Sequence, residues 1–175
     1  MSSPLTTARQ KYEAGAKLLN RAQPLLLLGV RLYWGWQFFL TGQGKLMNID
    51  RTAEFFAGIG IPLPVLNAYA AGTVECVGGL LLAAGVLSRL TAIPLMTTML
   101  VAYGTAHRDV VETLFSNPDG FVTAAPFLFL LASLIVLIFG PGPLSVDGLL
   151  ARSVLSDRKL NIPEPLSANA AIVRQ

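Results

Sequence analysis

The sequence predicts an all-α integral membrane protein, built as an antiparallel four-helix bundle with short interfacial helices in its first outer loop and after its fourth span. Three observations carry that expectation. Apolar runs at 24–42, 66–87, 90–106 and 121–140 each approach the roughly 20 residues that an α-helix needs to cross a bilayer. Hydrophobic residues make up 53% of the 175-residue chain and charged residues only 13%, too few charges to solvate a soluble domain of this size. The third is the placing of Lys and Arg. With the helices taken in order, Arg9, Lys11, Lys17, Arg21, Arg89, Arg152, Arg158, Lys159 and Arg174 fall on one side, against Lys45, Arg51 and Arg108 on the other. Basic residues accumulate on the cytoplasmic face, so a multi-pass plasma-membrane protein with both termini in the cytoplasm is expected.

Three segments follow from this pattern: a basic N-terminal arm (1–23), a membrane domain (24–150) and a C-terminal tail (151–175). The arm places Ala8, Tyr12 and Leu19 at helical spacing with Arg9, Lys11 and Lys17 between them. It is either an amphipathic helix on anionic headgroups or a frayed arm. It is not expected to be a cleavable signal peptide, because its apolar run starts late, is broken by Arg31 and lacks a small-residue cleavage site. In the first outer loop Asp50 is placed to cap a short helix from 51 to about 58, with Phe55 and Phe56 against the membrane surface as a plug or a lid. Pro62 and Pro64 then end it. The few residues around Ser88 and Arg89 force the second and third spans to be antiparallel neighbours. Pro94 and Pro126 fall near the starts of spans, where proline is tolerated. After the fourth span, prolines and glycines at 140–143 stop the helix, and Ser145 or Asp147 can cap an amphipathic piece at 148–155. The stretch from 161 onward has two prolines and little apolar periodicity, and is expected to be disordered.

Two ionisable residues lie inside the apolar runs, Arg31 and Glu75. A charge at membrane depth is expensive unless it is paired. The helical face through Arg31 carries Gly35, Phe38, Gly42 and Lys45, and the face through Glu75 carries Ala68, Gly72, Gly79 and Leu82. Small residues on membrane helices mark close helix contacts, so both charges should point inward. Counted from the ends of their runs, they differ in depth by only about 6 Å, a gap that an arginine side chain spans. A buried Arg31–Glu75 ion pair is therefore expected. A second group, Lys45, Glu75, Tyr103 and His107, gathers at the outer level and could line a polar ligand pocket. The alternative for His107 is a plain interface residue beside Arg108 and Asp109.

The single cysteine, Cys76, excludes an intramolecular disulfide and a CxxC centre, and the single histidine, His107, excludes bis-histidine haem ligation. No metal site and no covalently bound cofactor is expected.

Several strings carry a family resemblance: RLYWG at 31–35 with GQGK at 42–45, FFAGIGIPLP at 55–64, ECVGG at 75–79, LSRL at 87–90 and FGPGPLSVDGLL at 139–150. Their order resembles the DoxX family, from about residue 25 to 150. The resemblance implies a small four-helix membrane protein of bacterial or archaeal type. It also implies an association with membrane oxidoreductases, among which relatives include a thiosulfate:quinone oxidoreductase and a complex that handles thiol and oxidative stress. It transfers no catalytic residue set.

Three function classes remain. The first is an integral membrane subunit of an oxidoreductase system that binds quinone or a small redox partner. The second is a non-catalytic scaffold that anchors a soluble enzyme or a larger complex, and the third a small transporter. Without cysteine pairs or haem ligands the chain is not expected to be an autonomous enzyme, and without an internal repeat or interrupted helix pair it fits a transporter poorly. The expected partners are the lipid bilayer, a membrane or peripheral oxidoreductase and further copies of the chain, with no nucleic acid.

Overall fold

A computed structural model describes residues 4–160, and every regular element among them is an α-helix. The longest, α1 (Pro4–Met47), runs for 44 residues. Pro24 lies within it, so no break in the helix marks the expected border between arm and membrane domain. The carbonyl that loses its donor to Pro24 belongs to exposed Asn20. Asn48 ends α1 by folding its amide back onto the Gly44 carbonyl at 2.9 Å.

The short helix α2 (Ile49–Gly58) follows at once. Asp50 lies in its first turn and makes no capping bond, contrary to expectation. It still places a carboxylate near the positive end of the helix dipole. The C-terminus of α2 closes with Gly60 at φ +78°, where the Gly60 and Ile61 amides return to the carbonyls of Ala57 and Phe56. Glycine meets that left-handed geometry without strain.

The second and third apolar runs become α3 (Pro64–Ala84) and α4 (Ser88–Gly104). The fourth run is not one helix. It divides into α6 (Pro118–Thr123) and α7 (Pro126–Phe139), preceded by a small α5 (Arg108–Glu112) that the sequence pattern did not announce. Pro126 has no N–H for the preceding turn, so Ala124 turns extended (ψ 140°) and the proline starts α7 instead. The last helix is α8 (Val146–Leu160). The expected disorder from 161 onward lies outside the described residues.

The four larger apolar-bearing helices pack in alternating directions. Gly35 of α1 faces Gly79 and Ala83 of α3, whereas Gly42 faces Gly72 and Cys76, so the two helices are antiparallel and nearly in backbone contact. The tip of α4 meets α6 where Tyr103 reaches Phe121, and its start meets the end of α7 where Arg89 reaches Ile138. Phe38, Leu82, Leu95, Met99 and Val136 form the common core.

Polarity is distributed from the inside out. Arg31, Glu75, Ser88, Thr91 and Ser133 are buried, while Leu26, Trp36, Tyr69, Val77, Leu100 and Ile138 are exposed. Water does not sustain so broad an apolar exterior, and a hydrocarbon surrounding does. Among the described residues only α3 is by itself long and apolar enough to cross a membrane; α7 is apolar but shorter.

Candidate functional site

A cavity of about 630 Å³ lies between α2, α3 and α4. Phe55 and Phe56 of α2 with Ile59 just after it line one side, Val74 and Glu75 of α3 another, and Ile93 and Val101 of α4 a third. The size is that of a small-molecule site, and so is the lining, mostly apolar with few polar groups. Thr97, Thr98 and Thr105 also reach it, but their hydroxyls donate to the carbonyls of Ile93, Leu95 and Val101 in their own helix. What remains to distinguish the cavity chemically is the His107 imidazole at its edge and one ion pair. Lys45 Nζ donates to Glu75 Oε2, with the lysine side chain 28% exposed and the glutamate only 2%.

Both members follow from local structure. The face of α3 that holds Glu75 also holds Gly72 and Gly79, and these let α1 approach so closely that the carboxylate is sealed from solvent. Lys45 is in the last turn of α1, where the helix dipole favours a cation. From there its flexible stem reaches inward.

The structure does not bring Arg31 and Glu75 together. The glycine contacts fix the register of α1 on α3: with Gly35 opposite Gly79–Ala83 and Gly42 opposite Gly72–Cys76, Lys45 falls beside Glu75 and Arg31 beside Gly85. The two charges are thus separated along the bundle by about ten residues of rise, or ~15 Å. Counting from the ends of the apolar runs missed this because α1 continues far beyond Pro24.

Arg31 serves the opposite end of the bundle. Its guanidinium donates to the carbonyls of Pro141 and, at 2.7 Å, Leu144. It also faces the carboxylate of Asp147. That carboxylate in turn accepts the Leu87 amide (2.8 Å), the Ser88 amide (2.9 Å) and the Ser88 hydroxyl (3.1 Å). Asp147 therefore caps α4 from sixty residues away, whereas Ser145 caps α8, its hydroxyl oxygen accepting the Gly148 amide at 2.9 Å. Leu87, a non-glycine residue at φ +46°, is held in that left-handed conformation between Gly85 and the capped start of α4. Burial would by itself raise the Asp147 pKa. The amides of Ser88 and Leu87, the Ser88 hydroxyl and the Arg31 charge outweigh that and hold it below the usual carboxylate range.

Of the four residues expected to line a pocket, Lys45, Glu75 and His107 border the cavity, His107 from the segment just before α5. Tyr103 does not. Its ring stands edge-on to that of His107 (6.2 Å between centroids) and stacks on Phe121 (4.5 Å between centroids, 15° between planes), and its hydroxyl donates to the Phe121 carbonyl at 2.8 Å. α6 ends two residues later, which leaves that carbonyl free of a helical donor. Sequence reasoning missed the threonine face of α4; its spacing at 94, 97, 98, 101 and 105 was legible as one helical stripe.

The sequence profile of the DoxX family matches residues 26–108. Among curated proteins, the chain is 30% identical to the inner membrane protein YphA of Escherichia coli over 72% of its own length and 91% of that protein's. It is 34% identical to an uncharacterized membrane protein, Rv3486 of Mycobacterium tuberculosis, over 78% of this chain and 88% of the relative. A shorter match, 30% identical over 48% of this chain and 61% of the relative, is to CatD of Bacillus subtilis, provisionally named an oxidoreductase. No solved structure matches the chain at a significant level.

Proposed function

The chain belongs to the DoxX family of membrane proteins, and from that premise we propose that it is an integral membrane subunit of an oxidoreductase system whose α2–α3–α4 cavity receives a small apolar redox ligand of the quinone class. One observation carries this: a cavity of about 630 Å³, walled by apolar side chains, holds a single buried ion pair, Lys45–Glu75. A quinone offers a ring with two carbonyl acceptors and an apolar tail. Lys45 supplies a charged donor for a carbonyl oxygen, Glu75 is a carboxylate within reach of the same atom, and Val74, Ile93 and Val101 accept the apolar body. When bound, a quinone would supply two-electron carrier chemistry, with electrons from a partner protein. The oxidoreductase name of CatD supports that association.

The topology proposed with it has four crossings, made by the latter half of α1, by α3, by α4 and by the α6–α7 pair, with both termini in the cytoplasm. The excess of Lys and Arg on the side of the termini supports the orientation. The exposed apolar belt on each of these helices supports the crossings.

Photo-affinity labelling with a quinone analogue tests the site. Labelled peptides from α3 and α4, lost in a Glu75→Gln variant of equal abundance, are expected. Labelling that misses both helices, with respiration of the variant unchanged, would leave the chain as a non-catalytic scaffold for its partner.

A further inference from the structure

Beside the cavity just described, on the other flank of α2, lies a second depression of about 480 Å³. Lys45, Phe55 and Phe56 border both, so the α2 phenylalanines divide an apolar chamber from a polar vestibule. The vestibule is lined by two cationic side chains, Lys45 and Arg51, and by no carboxylate. Its hydroxyls are engaged, Thr41 donating to the Phe38 carbonyl and Thr52 to that of Asn48, and Asn48 spends one of its two amide N–H groups on the Gly44 carbonyl. Beside the second Asn48 N–H, the side-chain donors left for a visitor are charged ones, the Arg51 guanidinium and what Lys45 does not give to Glu75. Arg51 forms no ion pair with any described residue, in contrast to Arg9 and Arg108, each paired with a glutamate one turn on. A site whose free side-chain donors are mostly cationic favours an anion over a neutral hydrogen-bonding group.

The position fixes which anion. Phe55 is exposed beside the vestibule, on a short helix that follows the last turn of α1 at the end of the apolar belt. That is the depth of phospholipid headgroups, where aromatic and basic side chains settle. We propose that the Lys45–Arg51 vestibule is a binding site for the phosphate of an anionic phospholipid. The lipid site goes beyond the quinone reading and stands without it, because Arg51 does not line the chamber.

The test is native mass spectrometry of the full chain released from bilayers of phosphatidylcholine with a minor fraction of phosphatidylglycerol. The wild type is expected to retain phosphatidylglycerol above its bulk fraction. Arg51→Gln should lower that retention roughly five-fold, as loss of one cation near a phosphate implies, and Arg51→Lys should restore most of it. Equal retention by wild type and Arg51→Gln, at matched helicity, overturns the proposal. So does displacement of the lipid by millimolar inorganic phosphate, which would assign the vestibule to free phosphate. Quinone labelling unchanged in Arg51→Gln keeps the two sites distinguishable.

Discussion

Alanine substitutions at four glycines should separate helix contact from helix propensity. A Cβ on Gly42 would lie 2.6 Å from the Gly72 carbonyl oxygen and against the Cys76 amide, and one on Gly79 would lie 2.6 Å from the Gly35 carbonyl oxygen. Both obstacles are backbone, so neither can rotate aside. Ordinary contact requires α1 and α3 to part by nearly 1 Å, and a gap of that size forfeits a quarter to a half of the dispersion energy between facing atoms. Gly42→Ala and Gly79→Ala are each expected to destabilise by about 3 kcal/mol, the upper end for overpacking. At Gly78 the nearest atom is Leu95 Cδ2 at 3.0 Å, the mobile tip of a side chain, and a loss of about 1 kcal/mol is expected. Gly44 has nothing within 4 Å, so Gly44→Ala should be neutral or stabilising by up to about 1 kcal/mol through helix propensity. Thermal unfolding in a mild detergent, followed by circular dichroism, measures the series. Equal effects at Gly42 and Gly44 would refute the α1–α3 register and, with it, the pairing of Lys45 with Glu75.

Three further outcomes follow from the geometry. Lys45→Met should destabilise by about 3 kcal/mol, since it strands the buried Glu75, and Lys45→Met with Glu75→Leu should recover most of that loss; additive losses in the same unfolding assay would reject the pair. Asp147→Asn should cost about 1–2 kcal/mol at neutral pH as the α4 cap weakens. The folded Asp147 pKa is depressed, so the wild-type advantage is full above the unfolded value of about 4 and fades as pH falls through the folded one; an advantage that grows on acidification would contradict the cap. With Cys76→Ala in the background, Asn117→Cys, placed at the start of α6, should react with a membrane-impermeant thiol reagent added outside intact cells, and reaction only after lysis would invert the proposed orientation.

The helical faces were legible in the sequence because they depend only on spacing. The face of Ala68, Gly72, Glu75, Gly79 and Leu82 is the buried face of α3, and Pro64 opens that helix, although the turn at Gly60 ends α2 before either Pro62 or Pro64 is reached. What spacing does not contain is register between helices. Arg31 and Glu75 were matched by depth, a quantity that assumes the helix begins where the apolar run begins, and α1 violates that assumption by some twenty residues. Asp147 was legible as a cap, but its partner helix was not, since nothing local to 147 points to Ser88. Tyr103 shows the same limit on a smaller scale: a one-turn spacing from His107 does bring the two rings edge to edge, yet the Tyr103 hydroxyl goes to the Phe121 carbonyl and only His107 lines the cavity.

The cap that Asp147 lends to α4 has a consequence for biogenesis. As the chain emerges from the ribosome, α1, α3 and α4 are made well before residue 147, and until then the turn at 85–88 lacks the acceptor for its Leu87 and Ser88 amides. Arg31 waits longer still, since both of its carbonyl acceptors lie at 141–144. Without residues 141–147, α1, α3 and α4 would keep an arginine with no acceptor and an uncapped turn at one end. The 141–147 segment supplies the Arg31 acceptors and the α4 cap from one short stretch of chain, so the two ends of the sequence close this end of the bundle together.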